Sequence, residues 1–274
     1  MSTNHKPLSK KQLEETLIQY RHHFHEYLEL ANREFKTTET IKAILTKWGI
    51  KLLPTNLKTG VFAEIGTSDG PTVALRADID ALPIQEESGV PFSSKFPGVM
   101  HACGHDTHIV SLLGGAYLLK QLEASLPGKV RLLFQLSEED REKALQLINN
   151  GQLKGVNAII GFHNTPHQPI GHVGLRSGIT TGAIDKFKVT LTGVGTHAST
   201  PQNVEDPIAA LGYEITELQS LISRELDPFT ASVLSITHLS AGNTWNVIPS
   251  NAFFEGTVRT ADKNVRQEIK DRFF

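Results

Sequence analysis

The sequence predicts an α/β protein: a mostly parallel sheet sandwiched by helices, followed by a smaller α+β domain. Three observations carry this expectation. Near-continuous apolar segments at 72–79, 129–136 and 156–162 alternate with helix-period segments, as buried parallel strands and their crossover helices do. Beyond about Thr180 the strand-like segments instead alternate polar and apolar residues, the pattern of strands with one solvated face. Third, each apolar segment of the first part runs into polar groups at its carboxyl end, which is where open α/β sheets assemble their sites. The first domain is expected over residues 1–182 and the second over 183–274.

Taken in order, 13–35 reads as an amphipathic helix and 38–48 as a second, with Thr37 and Thr38 as caps. Strands are expected at 60–65 and 72–79, and then a helix at 107–122 that Asp106 is placed to cap. A strand at 129–136, a helix at 139–149 and a strand at 156–162 complete the first part. The second part reads as a strand (186–192), a helix (206–224), two strands (231–239 and 251–259) and a helix (262–274). That order suggests helices packed on one face of an antiparallel sheet, and it calls for one further strand after the last helix.

A chain of 274 residues with 39% hydrophobic content can bury a sizeable core in one or two domains. A formal charge of −2 argues against a nucleic-acid or anionic-membrane partner, since both need a basic face. One cysteine cannot form an internal disulfide, residues 1–11 lack an apolar run, and no segment reaches the ~20 apolar residues of a membrane span. A soluble, cytoplasmic protein is therefore expected.

The single cysteine lies in His101-Ala102-Cys103-Gly104-His105-Asp106. Alone, such a residue is most often a small buried hydrophobe. Here a thiol and an imidazole flank a glycine whose conformational freedom lets both face one point, and thiolate with imidazole is the ligand set of a first-row metal. Strand ends add Asp78 and Asp80, Glu138 and Glu139, and His163. Any of these has a plain structural reading; Glu138-Glu139, for instance, suits the start of a helix. Placed together at successive strand ends they suggest metal-assisted hydrolysis, one carboxylate ligating while its neighbour faces a water. A cysteine nucleophile activated by His105 or His163 is a further reading. There is no Gly-rich phosphate loop.

The runs Arg76-Ala77-Asp78-Ile79-Asp80-Ala81-Leu82-Pro83, Met100-His101-Ala102-Cys103-Gly104-His105-Asp106 and Phe134-Gln135-Leu136-Ser137-Glu138-Glu139 resemble the amidohydrolase branch of the aminoacylase/carboxypeptidase-type metallopeptidases. Gly195-Thr196-His197-Ala198, Asp206-Pro207-Ile208 and Asn246-Val247-Ile248-Pro249 extend the resemblance into the second domain. It implies a zinc-peptidase-like catalytic domain with an inserted lid that dimerises, and hydrolysis of the amide bond of an N-acyl amino acid or similar conjugate. It also implies a centre of two ions, Mn2+ or Zn2+, with Cys103, His105, Glu139 and His163 as ligands and Glu138 as general base. His197 would reach the substrate in the partner's site, and Asn246 would sit near the substrate's carboxylate or amide. The chain departs from the family at Leu136-Ser137, at Pro201-Gln202, at Tyr27-Leu28-Glu29-Leu30 and in the charged run Asp140-Arg141-Glu142-Lys143. Against full-length members it reads as C-terminally truncated, ending inside the lid before a last histidine ligand. Exposed sheet edges are expected there, and a catalytically impaired relative that keeps the fold and a partial metal site is the alternative.

Overall fold

The computed structural model describes residues 7–140 and 143–273, arranged as two compact units, Met1–Pro169 and Ile170–Phe274. Helix α1 (Lys10–Glu26) opens on a capping box in which the Ser9 hydroxyl accepts from the Gln12 N–H and the Gln12 side chain accepts from the Ser9 N–H. It stops nine residues short of the expected end at 35. The segment that follows turns back on the sheet: Leu30 bridges to Ala81, and Asn32 takes a left-handed φ of 64°. This turn frees Glu29 and Glu34 to act elsewhere, so tertiary hydrogen bonds override the helical period.

Helix α2 (Phe35–Lys47) is capped from outside, because Glu29 accepts from both the N–H and the hydroxyl of Thr37 (2.9 and 3.1 Å). Thr37 and Thr38, the expected caps, instead lie buried within the first turn. Strands β1 (Lys51–Leu52), β2 (Val61–Ile65) and β3 (Thr72–Asp78) follow, then helix α3 (His105–Gln121), β4 (Lys129–Gln135), α4 (Lys143–Asn149) and β5 (Val156–Gly161). Residues 138–140 do not begin α4 as expected, and Arg141 and Glu142 of the charged run lie outside the described residues.

The five strands lie in the order β1–β2–β4–β3–β5. β3 is parallel to both β4 and β5, and β2 is antiparallel to β4 and β1, so four of the five strands run in one direction. Alternate residues serve opposite faces. Val61, Ala63, Ile65, Leu132 and Phe134 pack against Phe24 of α1, Ile41 and Leu45 of α2 and Ile109 and Leu113 of α3, while Phe62, Ala74 and Leu133 meet Leu147 of α4 on the other side. The connection from β3 to β4 uses α3 on the first face, and that from β4 to β5 passes beyond β3 with α4 on the second. The carboxyl ends of β3, β4 and β5 thus open where the crossovers diverge. Among the described residues β5 pairs only with β3, and it leaves Ile159 and Ile160 more than half exposed (53% and 59%).

The second unit contains β6 (Ala183–Thr192), β7 (Thr196–His197), α5 (Pro207–Ser220), β8 (Ser232–Ala241), β9 (Val247–Ile248), β10 (Asn251–Thr260) and α6 (Lys263–Phe273). An antiparallel sheet, β6–β10–β8, turns Ala252, Phe254 and Val258 toward Leu211 of α5 and Ile269 of α6. Asp206 caps α5 by accepting from the N–H groups of Ile208 and Ala209. On the opposite face Glu255 meets Lys188 and His238, each at 3.3 Å. A bulge between Glu255 and Gly256 needs the glycine, since a Cβ there would lie 2.2 Å from the Ser235 carbonyl oxygen. β7 and β9 form a separate two-stranded ladder. No helix among the described residues is long and apolar enough to cross a membrane.

Candidate metal centre

The peptide that carries Cys103 enters α3 through Gly104, which holds φ 80° at the N-cap. The left-handed turn re-aims the chain between two ligand-type side chains, and the space where a Cβ would sit is filled by the amide of Asn164, 2.4 Å away. Gly104 is therefore the cap, and Asp106, the expected cap, lies inside the first turn. Its buried carboxylate accepts from Arg21 Nε (3.1 Å) and His25 Nδ1 (3.0 Å) instead, and these partners outweigh burial and hold its pKa at about 2. His25 also meets Glu86 at 3.0 Å. With a carboxylate at each ring nitrogen, led by the Asp106 hydrogen bond, its pKa is raised.

At the end of β4 the chain turns through Ser137, whose φ is 49°. Buried Glu34 stabilises that turn, accepting from the Ser137 N–H (2.7 Å) and hydroxyl (2.8 Å) with one oxygen and from Thr59 (3.0 Å) with the other. The next two peptides are clamped by a single side chain: the Asp80 carboxylate accepts from the N–H groups of Glu138 and Glu139, each at 3.0 Å. Asp80 also uses its backbone carbonyl, which accepts from His105 Nδ1 at 2.8 Å. One residue thus fixes the orientations of an imidazole and of the paired glutamates.

These anchors determine what points into the centre. With its proton on Nδ1, the His105 ring presents a bare Nε2 that is buried and has no hydrogen-bond partner. That nitrogen faces Asp78 Oδ2 at 3.6 Å and Glu139 Oε1 at 3.9 Å, and donor atoms of Cys103, His105 and Glu139 all lie within 4.8 Å of one another. His163, just beyond β5, donates from Nδ1 to the Asn164 carbonyl (2.7 Å), which leaves Nε2 turned to the Cys103 sulfur at 3.3 Å. An imidazole nitrogen, a thiol and a carboxylate around one point, with a second imidazole reaching them beside the Cys103 sulfur, fit a divalent first-row cation.

The electrostatics agree. Burial, reinforced by the negative charge of Glu139, pushes the Cys103 thiol up to about 12, and burial raises Glu138. For His105, burial opposes the charged form, but Asp80 and Asp78 outweigh it and raise its pKa. The cluster thus retains protons where a cation would balance the charge. Asp78 plays a different part. It lies with His105 and His108 in a second buried group, but one oxygen accepts from His108 (2.6 Å) and the other from Arg76 (2.6 Å), so it supports its neighbours rather than offering a free donor.

Cys103, His105, Glu138, Glu139 and His163 are therefore brought together in the first unit. His197 and Asn246 are neighbours in the second, where Ala198 N–H donates to the Asn246 carbonyl (3.0 Å) across the β7–β9 ladder. His197 is exposed, and its Nδ1 accepts from the Ser199 N–H. The sequence reading did not single out Glu34, His25, His108 or Asn164. His108 carried a signal, since it falls three residues after His105 and shares a helix face with it. Each of the others makes a contact across more than fifty residues of sequence separation, which no local pattern encodes.

Residues 74–267 match the sequence model of peptidase family M20/M25/M40. The chain is 50% identical over 269 residues to the N-acetyl-L-cysteine deacetylase of Bacillus subtilis, covering 98% of this chain and 65% of that protein. It is 40% identical to the N-acyl-L-amino acid amidohydrolase of Geobacillus stearothermophilus, covering 92% and 69%. Among solved structures, a Bacillus subtilis protein described as a dinuclear metal binding peptidase from the M20 family superposes with a TM-score of 0.84 at 43% identity, over 96% of this chain and 68% of that one. The chain thus spans about two thirds of the length of the relatives it matches.

Proposed function

This chain belongs to peptidase family M20/M25/M40, in its amidohydrolase branch, and we propose that it hydrolyses the amide bond of an N-acyl amino acid or similar small conjugate. Cys103, His105, Glu139 and His163 would hold the metal, Mn2+ or Zn2+, within a catalytic domain spanning 1–182. Residues 183–274 would form the lid and dimerisation domain, with His197 and Asn246 engaging the substrate. The single observation that carries this reading is the buried Nε2 of His105, without a hydrogen-bond partner and facing the carboxylates of Asp78 and Glu139 beside Cys103.

A divalent ion bound by these residues would supply Lewis-acid chemistry, lowering the pKa of water toward neutrality and polarising the amide carbonyl. The protein's own groups handle the proton. Glu138 is half-buried, its backbone is fixed by Asp80, and burial raises its proton affinity above that of an ordinary glutamate. It takes a proton from the attacking water and returns it to the departing amine nitrogen as the carbon–nitrogen bond breaks.

The test is Glu138→Gln, assayed on a panel of N-acyl amino acids alongside metal content. Turnover should fall by about 10²–10⁴-fold while metal is retained. Unchanged turnover would exclude Glu138 as the base.

A further inference from the structure

We propose that His108 is a positioning residue: with Asp78 and Asn164 it forms a buried link that aims His163 at the metal. The inference rests on the reading of His163 as a ligand. His163 lies just past the end of β5, an edge strand with an exposed face, and is itself exposed, so neither the sheet nor the core holds its ring. What holds it is the residue that follows. The Asn164 carbonyl accepts from His163 Nδ1, and this selects the tautomer that leaves Nε2 free.

Asn164 is fixed in turn by His108. The Asn164 backbone N–H donates to His108 Nε2 (3.0 Å), and its side-chain Oδ1 lies 2.5 Å from the same nitrogen; since two acceptors would repel there, the network assigns the amide the turned-over orientation, with its NH2 toward the ring. A carboxylate can only accept, so the contact with Asp78 at 2.6 Å places the His108 proton on Nδ1 and leaves Nε2 as the acceptor Asn164 requires. His108 is 1% exposed, and the His163 ring packs edge-on against it at 4.7 Å between centroids. Gly104 completes the seat, since only a residue without Cβ leaves room for the Asn164 amide. The ligand contributed by β5 is therefore registered against those from α3 through His108, and no other described hydrogen bond ties Asn164 to α3.

The probe is Co2+ added to the full chain, read by visible absorption and by competition with a chelator. His108→Asn retains a donor toward Asp78 but loses the acceptor for Asn164. It should weaken Co2+ binding by roughly 10–100-fold, the usual effect of losing a group that orients a ligand. His108→Gln, which can still accept from Asn164, should stay closer to the parent. In a His163→Ala background, His108→Asn should cost nothing further, whereas a merely structural role would add its loss to that of His163→Ala. Additive losses, or unchanged affinity in His108→Asn, would overturn the inference. Should His108→Asn fail to fold, Asn164→Ala reads the same link: a few-fold loss absent from the His163→Ala background supports it, and an additive one overturns it. If His163→Ala itself binds Co2+ as the parent does, the ligand reading fails and this inference fails with it.

Discussion

Cys103 and His105 face one point because the residue between them is glycine in a left-handed turn, and the same glycine makes room for Asn164. Gly104→Ala would meet both the backbone penalty and the Asn164 amide 2.4 Å from its Cβ. A loss of about 1–3 kcal/mol in urea unfolding is expected, together with weaker metal binding. Glu138 makes a separate prediction. A general base works deprotonated, and its pKa is raised by burial, so the acid limb of kcat/KM should lie above the ordinary carboxylate value of 4.5. A limb at or below that value would remove Glu138 from the role. The sequence offered Cys103 and His105 through the thiol–glycine–imidazole run, and the glutamate pair and His163 because their residue types fall at strand ends. It could not offer Glu34, whose whole function is to satisfy Ser137 and Thr59 from a distant loop.

Helix α1 is tied to the centre's helix α3 by Arg21 and His25 on Asp106. The Asp106 pKa of about 2 lies below its ordinary 3.8. A depressed carboxylate pKa contributes stability that is fully present above the unfolded value and is lost as pH falls toward the folded one. The tie should therefore contribute about 2 kcal/mol at neutral pH and fade between pH 4 and 2. Asp106→Asn should unfold more easily at pH 7 and show a flatter stability profile across that acid window; an identical profile would contradict the assignment. The longer strands and the helices of both units were legible because burial imposes their periods of two and 3.6, whereas the two-residue strands β1, β7 and β9 are too short to show a period. The ends of α1 and α2 were not. Helical spacing continues through 27–34, but Glu29 and Glu34 are needed as long-range acceptors, and only the folded chain reveals that demand.

For the whole protein, metal binding and folding should be coupled. The four proposed ligands lie in the turn before α3, in α3 and just past β4 and β5, and come together only when the sheet has formed, so an ion that binds the native state would add stability by mass action. Chelation should lower the thermal midpoint of the parent and leave that of Cys103→Ser almost unchanged. The overall topology followed from the alternation of strand and helix, and the family from the Cys-Gly-His-Asp and Glu-Glu runs, both of which lie within the matched residues 74–267. The first measurement is elemental analysis of the purified 274-residue chain beside Cys103→Ser and His163→Ala. Near-stoichiometric divalent metal in the parent, sharply reduced in both variants, is the predicted result. A parent that holds no metal after reconstitution, or variants that hold as much as the parent, would contradict a centre built on Cys103, His105, Glu139 and His163.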